Sequence, residues 1–236
     1  MDEGFPTGVR DFTAALASSA PTPGGGGAAA LCGALAAALC AMASRLTAGR
    51  KKYADRAQEL GRIVTDADAL RERLLTLIGE DAENFAPLAN AYSLPKDDPA
   101  TAGTLRRATL NACRAPMEML RCACETIELL ERARELSSPL LLSDVGCGAS
   151  LARAAAECAA INVRVNTRSL PGDPESMVLE EEVGRLAAEY LPRAEAVGAS
   201  VIEMLDETPN TSNGVETHEH HALSLANILQ ILLVTK

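Results

Sequence analysis

Residues 21–48 read PTPGGGGAAALCGALAAALCAMASRLTA. Two prolines stiffen the entry, four glycines follow, and from Gly24 to Ser44 the run carries no charge. Ala and Leu are strong helix formers, so the stretch predicts a helix from Gly25 to about Ala48. Ala29, Gly33, Ala37 and Ala41 recur every four residues along it and make a smooth stripe on which another helix can lie closely. The uncharged run has the length of a membrane span. Ala and Gly drive insertion weakly, however, and no aromatic belt flanks the run. A helix buried at the centre of a bundle explains it better.

Outward from that helix the pattern stays helical. Thr7–Ser19 reads as a short first helix with Phe12 and Leu16 on one face. A third helix is predicted from Lys52 to Ala91, with Leu60, Leu70, Leu74, Leu77, Ile78, Phe85 and Leu88 on its apolar side and Gly61 or Gly79 as places to kink. Asp98-Pro99 and Asp173-Pro174 each pair a cap with a proline at the first helical position. They open helices that run to Leu136, kinked at Pro116, and to Asp206. Between them Ser143 or Asp144 caps a helix that ends near Thr167. No strand-period alternation of useful length is visible, so the fold class is all-α, an up-and-down bundle of long helices within residues 1–207. Residues 208–236 read as a polar linker followed by an apolar C-terminal tail or helix.

Composition bounds the function. The chain has 236 residues, a formal net charge of −10 and no Trp. An acidic surface argues against general nucleic-acid binding, which needs a basic face. The seven Cys are odd in number and mostly sit among Ala and Leu, with no secretory signal ahead of them. They read as reduced, buried thiols of a cytoplasmic protein with neither nucleic acid nor membrane as partner. Cys122 and Cys124 are too close for a C-x2-C metal pair. The histidines, His218, His220 and His221, all lie in the tail and read as solvated, so no metal site is expected.

Several residues could carry chemistry. The glycines Gly24, Gly25 and Gly26 after Pro23 leave backbone N–H groups bare at a helix start, which suits either an anion or close packing. Arg50, Lys51 and Lys52 follow the same helix and suit either a carboxylate or the helix C-terminal dipole. Asp81 falls on the apolar stripe between Ile78 and Phe85. A carboxylate there is paired, or else its pKa is raised into the range of a general acid–base. Asp144, Gly148, Leu151, Ala155, Cys158, Asn162 and Asn166 share one stripe of a later helix. Its two Asn need partners, in a ligand or in a neighbouring helix. Asp144 reads equally as an N-cap.

Taken together, PTPGGGGAAALCGALAAALCAM, LTAGRKKY, EDAENF with YSLPK, and SDVGCGASLARAAAECAAINVRVN resemble the formiminotetrahydrofolate cyclodeaminase / methenyltetrahydrofolate cyclohydrolase family. The resemblance covers residues 5–207 and implies an all-helical, dimer-forming enzyme. One branch of that family closes 5-formimino-tetrahydrofolate to the 5,10-methenyl form with loss of ammonia. Another opens the methenyl form to 10-formyl-tetrahydrofolate. Both pass through a tetrahedral carbon between N5 and N10, so the resemblance implies no cofactor beyond the tetrahydrofolate substrate. On this reading Asp81 and Asp144 are acid and base. Pro23, Gly24, Gly25, Gly26, Arg50 and Lys52 line a cleft near a homodimer interface, with Lys52 or Lys96 on the glutamate tail and Asn162 and Asn166 on the pterin. Gly27 stands where the family often has Ser, and Arg50 where Lys is common. No formiminotransferase segment precedes the motifs, so formimino transfer is expected on a separate protein.

Overall fold

A computed structural model describes residues 8–95 and 99–207, and no strand occurs among them. The elements are α1 (Val9–Leu16), α2 (Gly25–Ala48), a 3-10 turn (Lys51–Tyr53), α3 (Ala57–Ala91), α4 (Pro99–Ala112), α5 (Arg114–Leu136), a second 3-10 turn (Pro139–Leu141), α6 (Leu142–Thr167) and α7 (Pro174–Glu207). The predicted C-terminal tail, its histidines and Lys96 lie outside the described residues.

Helix α2 is the axis of the bundle and packs on α3, α5 and α6. Its apolar window has a mean hydropathy of 1.8, enough by length and composition to cross a membrane, yet 61% of that window is buried inside the protein. The four-residue stripe explains the fit. Ala29, Ala37 and Ala41 are buried, and a Cβ on Gly33 would stand 3.1 Å from Leu74 and 3.5 Å from Ala155. Helix α6 runs antiparallel to α2. Gly25 approaches Asn162, Gly33 approaches Ala155, and Gly148 approaches the carbonyl of Ala36. The small residues of both helices allow this contact, and Leu74, Leu120, Ile127, Leu130 and Val145 fill the space around it.

The boundaries differ from the sequence reading where turns intervene. The third helix starts at Ala57 rather than Lys52, because a 3-10 turn holds Lys51–Tyr53. Helix α3 does not break at Gly61 or Gly79 and carries Pro87 inside it. The helix expected from Pro99 to Leu136 divides at Cys113 into α4 and α5. Pro116 has no N–H to offer the Ala112 carbonyl, which removes one rung of the ladder there. Helix α6 begins at Leu142, after Pro139–Leu141, so Ser143 and Asp144 lie inside its first turn and neither caps it through its side chain. Charged pairs fasten α7 to α5: Arg121 holds Glu182 through two bonds of 2.9 Å, and Tyr190 donates to Glu128 at 2.6 Å.

Cysteine burial follows the expectation with one correction. Cys40, Cys113, Cys122 and Cys124 are buried, and Cys32 and Cys158 partly so, whereas Cys147 is exposed. Burial pushes the Cys40 thiol up to about 12 and Cys113 up to about 11, so neither is a ready nucleophile.

Candidate active site

A cavity of about 170 Å³ lies at the N-terminal end of α2. The Pro21–Gly26 turn, Asp81 and Phe85 of α3, Ala112 and Pro116 at the α4–α5 break, and Asn162, Val165 and Asn166 of α6 line it. The turn reaches α2 through a cis Thr22-Pro23 bond, and Gly24 stands at the N-cap position with no side chain to cap it. The first N–H groups of α2 are therefore bare and carry the positive end of the helix dipole.

Asp81 faces that end. A Cβ built on Gly26 would stand 2.3 Å from Asp81 Oδ2, so glycine there makes room for the carboxylate. Burial alone pushes the Asp81 carboxyl from 3.8 up to about 6. Among the described residues no cation pairs with it. Such a group holds or releases a proton near neutral pH, as acid–base work requires.

The two asparagines flank the carboxylate in different ways. Asn162 Nδ2 donates to the Cys158 carbonyl one turn back at 2.8 Å, and the amide packs beneath Gly25. Asn166 Nδ2 donates to the Ala112 carbonyl at 3.4 Å, the acceptor that Pro116 leaves without a helical donor. One amide nitrogen of each thus fixes the side chain, and its oxygen is left to accept from a ligand. Sequence reasoning found Asp81 and both Asn but missed Phe85, Ala112 and Pro116 as lining. The four-residue spacing of Ala112 and Pro116 was the available signal, since it marks a carbonyl in need of a donor.

The remaining sequence-derived residues are elsewhere. Arg50 and Lys52 follow the other end of α2, about 35 Å away at ~1.5 Å per residue. Arg50 donates to Ser138 Oγ at 3.2 Å, and Lys52 lies 5.7 Å from the Tyr53 ring. Asp144 lies eighteen residues before Asn162 on antiparallel α6, about 27 Å along the helix and hence toward that same far end. Within one subunit Asp81 and Asp144 are not an acid–base pair, and Arg50 and Lys52 do not line the Asp81 cavity. Stripe membership places Asp144 on a face of a helix but not at an end of it, whereas the family resemblance alone puts Arg50 and Lys52 beside the glycines. Among the described residues no three His, Cys, Asp or Glu side chains converge as metal ligands.

Fold and site define an all-helical bundle with a carboxylate and two amides gathered at one end of its central helix. The formiminotransferase-cyclodeaminase family model matches residues 8–184, and the chain belongs to that family. It is 39% identical over 166 residues to the methenyltetrahydrofolate cyclohydrolase of Methylorubrum extorquens, covering 69% of this chain and 80% of that protein. It is 26% identical over 204 residues to the formimidoyltransferase-cyclodeaminase of Mus musculus, covering 85% of this chain but 37% of the mouse protein. The crystal structure of formiminotetrahydrofolate cyclodeaminase from Thermotoga maritima superposes with a TM-score of 0.72 at 27% identity, covering 84% of this chain and 96% of that one.

Proposed function

We propose that this chain is a one-carbon folate enzyme acting on the carbon between N5 and N10 of tetrahydrofolate. One observation carries the reading: an unpaired, partly buried carboxylate titrating near pH 6 stands among neutral amides and bare helix N–H groups. The reactions of this family need a proton moved at nitrogen or water while charge changes on a planar heterocycle. Asp81 supplies the proton site, and the Asn162 and Asn166 oxygens accept from ring N–H groups.

The first reading is 5-formimino-tetrahydrofolate cyclodeaminase. N10 attacks the protonated formimino carbon, the N10 proton passes to Asp81, and Asp81 returns it to the departing nitrogen, which leaves as ammonia. The carbon ends bonded to N5 and N10 as the methenyl cation. The second reading is 5,10-methenyl-tetrahydrofolate cyclohydrolase, and the 39% identity to a protein of that name favours it. There Asp81 takes a proton from the water that adds to the methenyl carbon. The C–N5 bond then breaks as the carbinol O–H gives up its proton to become the formyl C=O, N5 takes up one proton, and 10-formyl-tetrahydrofolate remains with one net proton released through Asp81. Neither route uses a cofactor beyond the tetrahydrofolate substrate.

The enzyme works as a cytoplasmic homodimer and, in the deaminase reading, takes a substrate made by a formiminotransferase. A cavity of about 170 Å³ holds the reacting end of a folate but not the whole molecule. Parallel assays with 5-formimino- and 5,10-methenyl-tetrahydrofolate, each followed by the methenyl absorbance, test the reading. A rise in the first with ammonia release identifies a cyclodeaminase. A fall in the second above the spontaneous rate identifies a cyclohydrolase, and flat traces in both reject the enzyme.

A further inference from the structure

The α4–α5 break has a second face. Ala112 and Pro116 line the Asp81 cavity, whereas Leu110, Asn111 and Arg114 border an open groove of about 670 Å³ whose other wall is α7. The groove continues past Arg114 and Leu179 into a further hollow of about 550 Å³. Ion pairs tie its two walls together. Arg106 meets Asp173 at 2.5 Å and Glu175 at 2.8 Å. Asp173 in turn accepts from the N–H groups of Glu175 and Ser176, each at 3.0 Å.

The α4–α5 wall carries a simple pattern. Arg107, Leu110, Asn111 and Arg114 follow one another at three- and four-residue spacing, so they share a face. Asn111 is already committed, its Nδ2 donating to the Asn84 carbonyl at 3.1 Å. The two arginines are not. Arg107 reaches only the Thr104 hydroxyl, at 3.3 Å. Among the described residues neither Arg107 nor Arg114 meets a carboxylate, whereas Arg106 meets two. The opposite wall is apolar: Pro174 and Val178 stand four residues apart on α7, and Val178 is 63% exposed. A chain with a net charge of −10 thus borders this groove with three arginines against one glutamate.

We infer that this groove docks an acidic amphipathic helix of a partner protein, with carboxylates on Arg107 and Arg114 and an apolar residue between them against Leu110 and Val178. Charge selects the sign of the partner, since two exposed guanidinium groups without carboxylates attract an acidic surface. Spacing selects its form. Seven residues of helix separate the arginines by roughly 10 Å along the axis, which is also the separation of two carboxylates seven residues apart on a second helix. The openness of the groove selects a protein segment over a small molecule. A small ligand would stay largely in water here, whereas a helix lays an apolar stripe along both walls. The docking does not rest on the folate reading above.

Designed peptides test the groove without any turnover. The first is a capped, fluorescently labelled helix of about 18 residues with two Glu seven positions apart and Leu between them on the same face. A second has Lys in place of both Glu, and a third keeps the composition of the first with the Glu spacing scrambled. Fluorescence anisotropy on the full chain at low salt should show the first peptide binding in the micromolar range, more weakly as salt is added. Arg107→Glu/Arg114→Glu should bind it at least about tenfold more weakly and bind the Lys peptide in its place. Val178→Ser should cost about fivefold through lost apolar contact. All three positions are exposed, and circular dichroism should show each variant folded. Failure of the wild-type chain to bind the first peptide, binding unchanged in Arg107→Glu/Arg114→Glu, or equal binding of the scrambled peptide overturns the docking. If Arg107→Glu/Arg114→Glu instead changes the sedimentation of the chain alone, a second copy occupies the groove, and the acidic partner is overturned.

Discussion

The two ends of α2 are built from one helix and do opposite work. At the Gly25 end polar groups are left unmet among the described residues: the first N–H groups have no side-chain cap, Asp81 has no cation, and each asparagine commits one nitrogen and spares its oxygen. At the Ala48 end the groups that bridge chain segments are met, although the buried Ser137 hydroxyl beside them has no partner. Thr47 donates to the Ala43 carbonyl at 2.8 Å and accepts from the Ser138 N–H at 3.0 Å, and Arg50 reaches Ser138 Oγ. Unmet groups beside a cavity cost stability and are retained where a ligand meets them. Satisfied groups in a buried turn hold chain segments together. The difference separates a reacting end from an anchoring end, although both looked like site residues in the sequence.

Asp81→Asn is the strongest way to break this contrast. It should lower turnover roughly 10²- to 10⁴-fold, the usual worth of a positioned proton-transfer group. The same change should raise stability at pH 8. Asp81 is shifted up to about 6, so the folded chain binds a proton that the unfolded chain has released. The stability this proton gives is present below about pH 4 and is lost as the pH rises through about 6. An amide at position 81 is never ionised, and denaturant melts at pH 8 should show it more stable by roughly 1 kcal/mol. A variant less active and less stable together would make Asp81 a structural residue.

Gly26→Ala sharpens the contrast without removing the acid. The new methyl would meet Asp81 Oδ2 at 2.3 Å, so the carboxylate must move. Displacing a reacting group by about 1 Å costs on the order of 10²-fold in kcat. Steady-state kinetics should show the loss mainly in kcat, with secondary structure by circular dichroism unchanged. At the other end, Thr47→Val keeps the shape and deletes the hydroxyl, leaving the Ser138 N–H unsatisfied in a buried place. Its expected effect is about 1–3 kcal/mol of lost stability in a urea melt. The acid limb of the pH–rate profile should stay where it is, because the Asp81 end is not touched.

The sequence made α2 legible almost to the residue. Bare glycines mark its start, an uninterrupted helix-forming run fills it, and Gly49 follows its end. Asp81 was legible because a carboxylate on an apolar stripe is costly, and the half-buried environment bears that out. Asp144 looked similar and is different. Its stripe is real, but the stripe crosses the length of the bundle, and periodicity carries no information about which end a residue occupies. The family resemblance joins Arg50 and Lys52 to the glycines, while the sequence itself sets them one helix length away. The break at Cys113 was half visible: Pro116 announced a disturbance, while the donor that compensates for it comes from Asn166, fifty residues later and on another helix. Such a partner is set by tertiary packing and leaves no local mark.

The most direct test of Asp81 as the group that moves the proton is the pH dependence of kcat/KM for wild type and Asp81→Asn, measured on whichever folate the enzyme turns over. With Asp81 as the base, kcat/KM should fall on the acid side through an apparent pKa near 6, set by the buried carboxylate, and Asp81→Asn should lack that limb. A wild-type profile flat through pH 6, or an Asp81→Asn profile that keeps the same limb at full rate, would contradict the account.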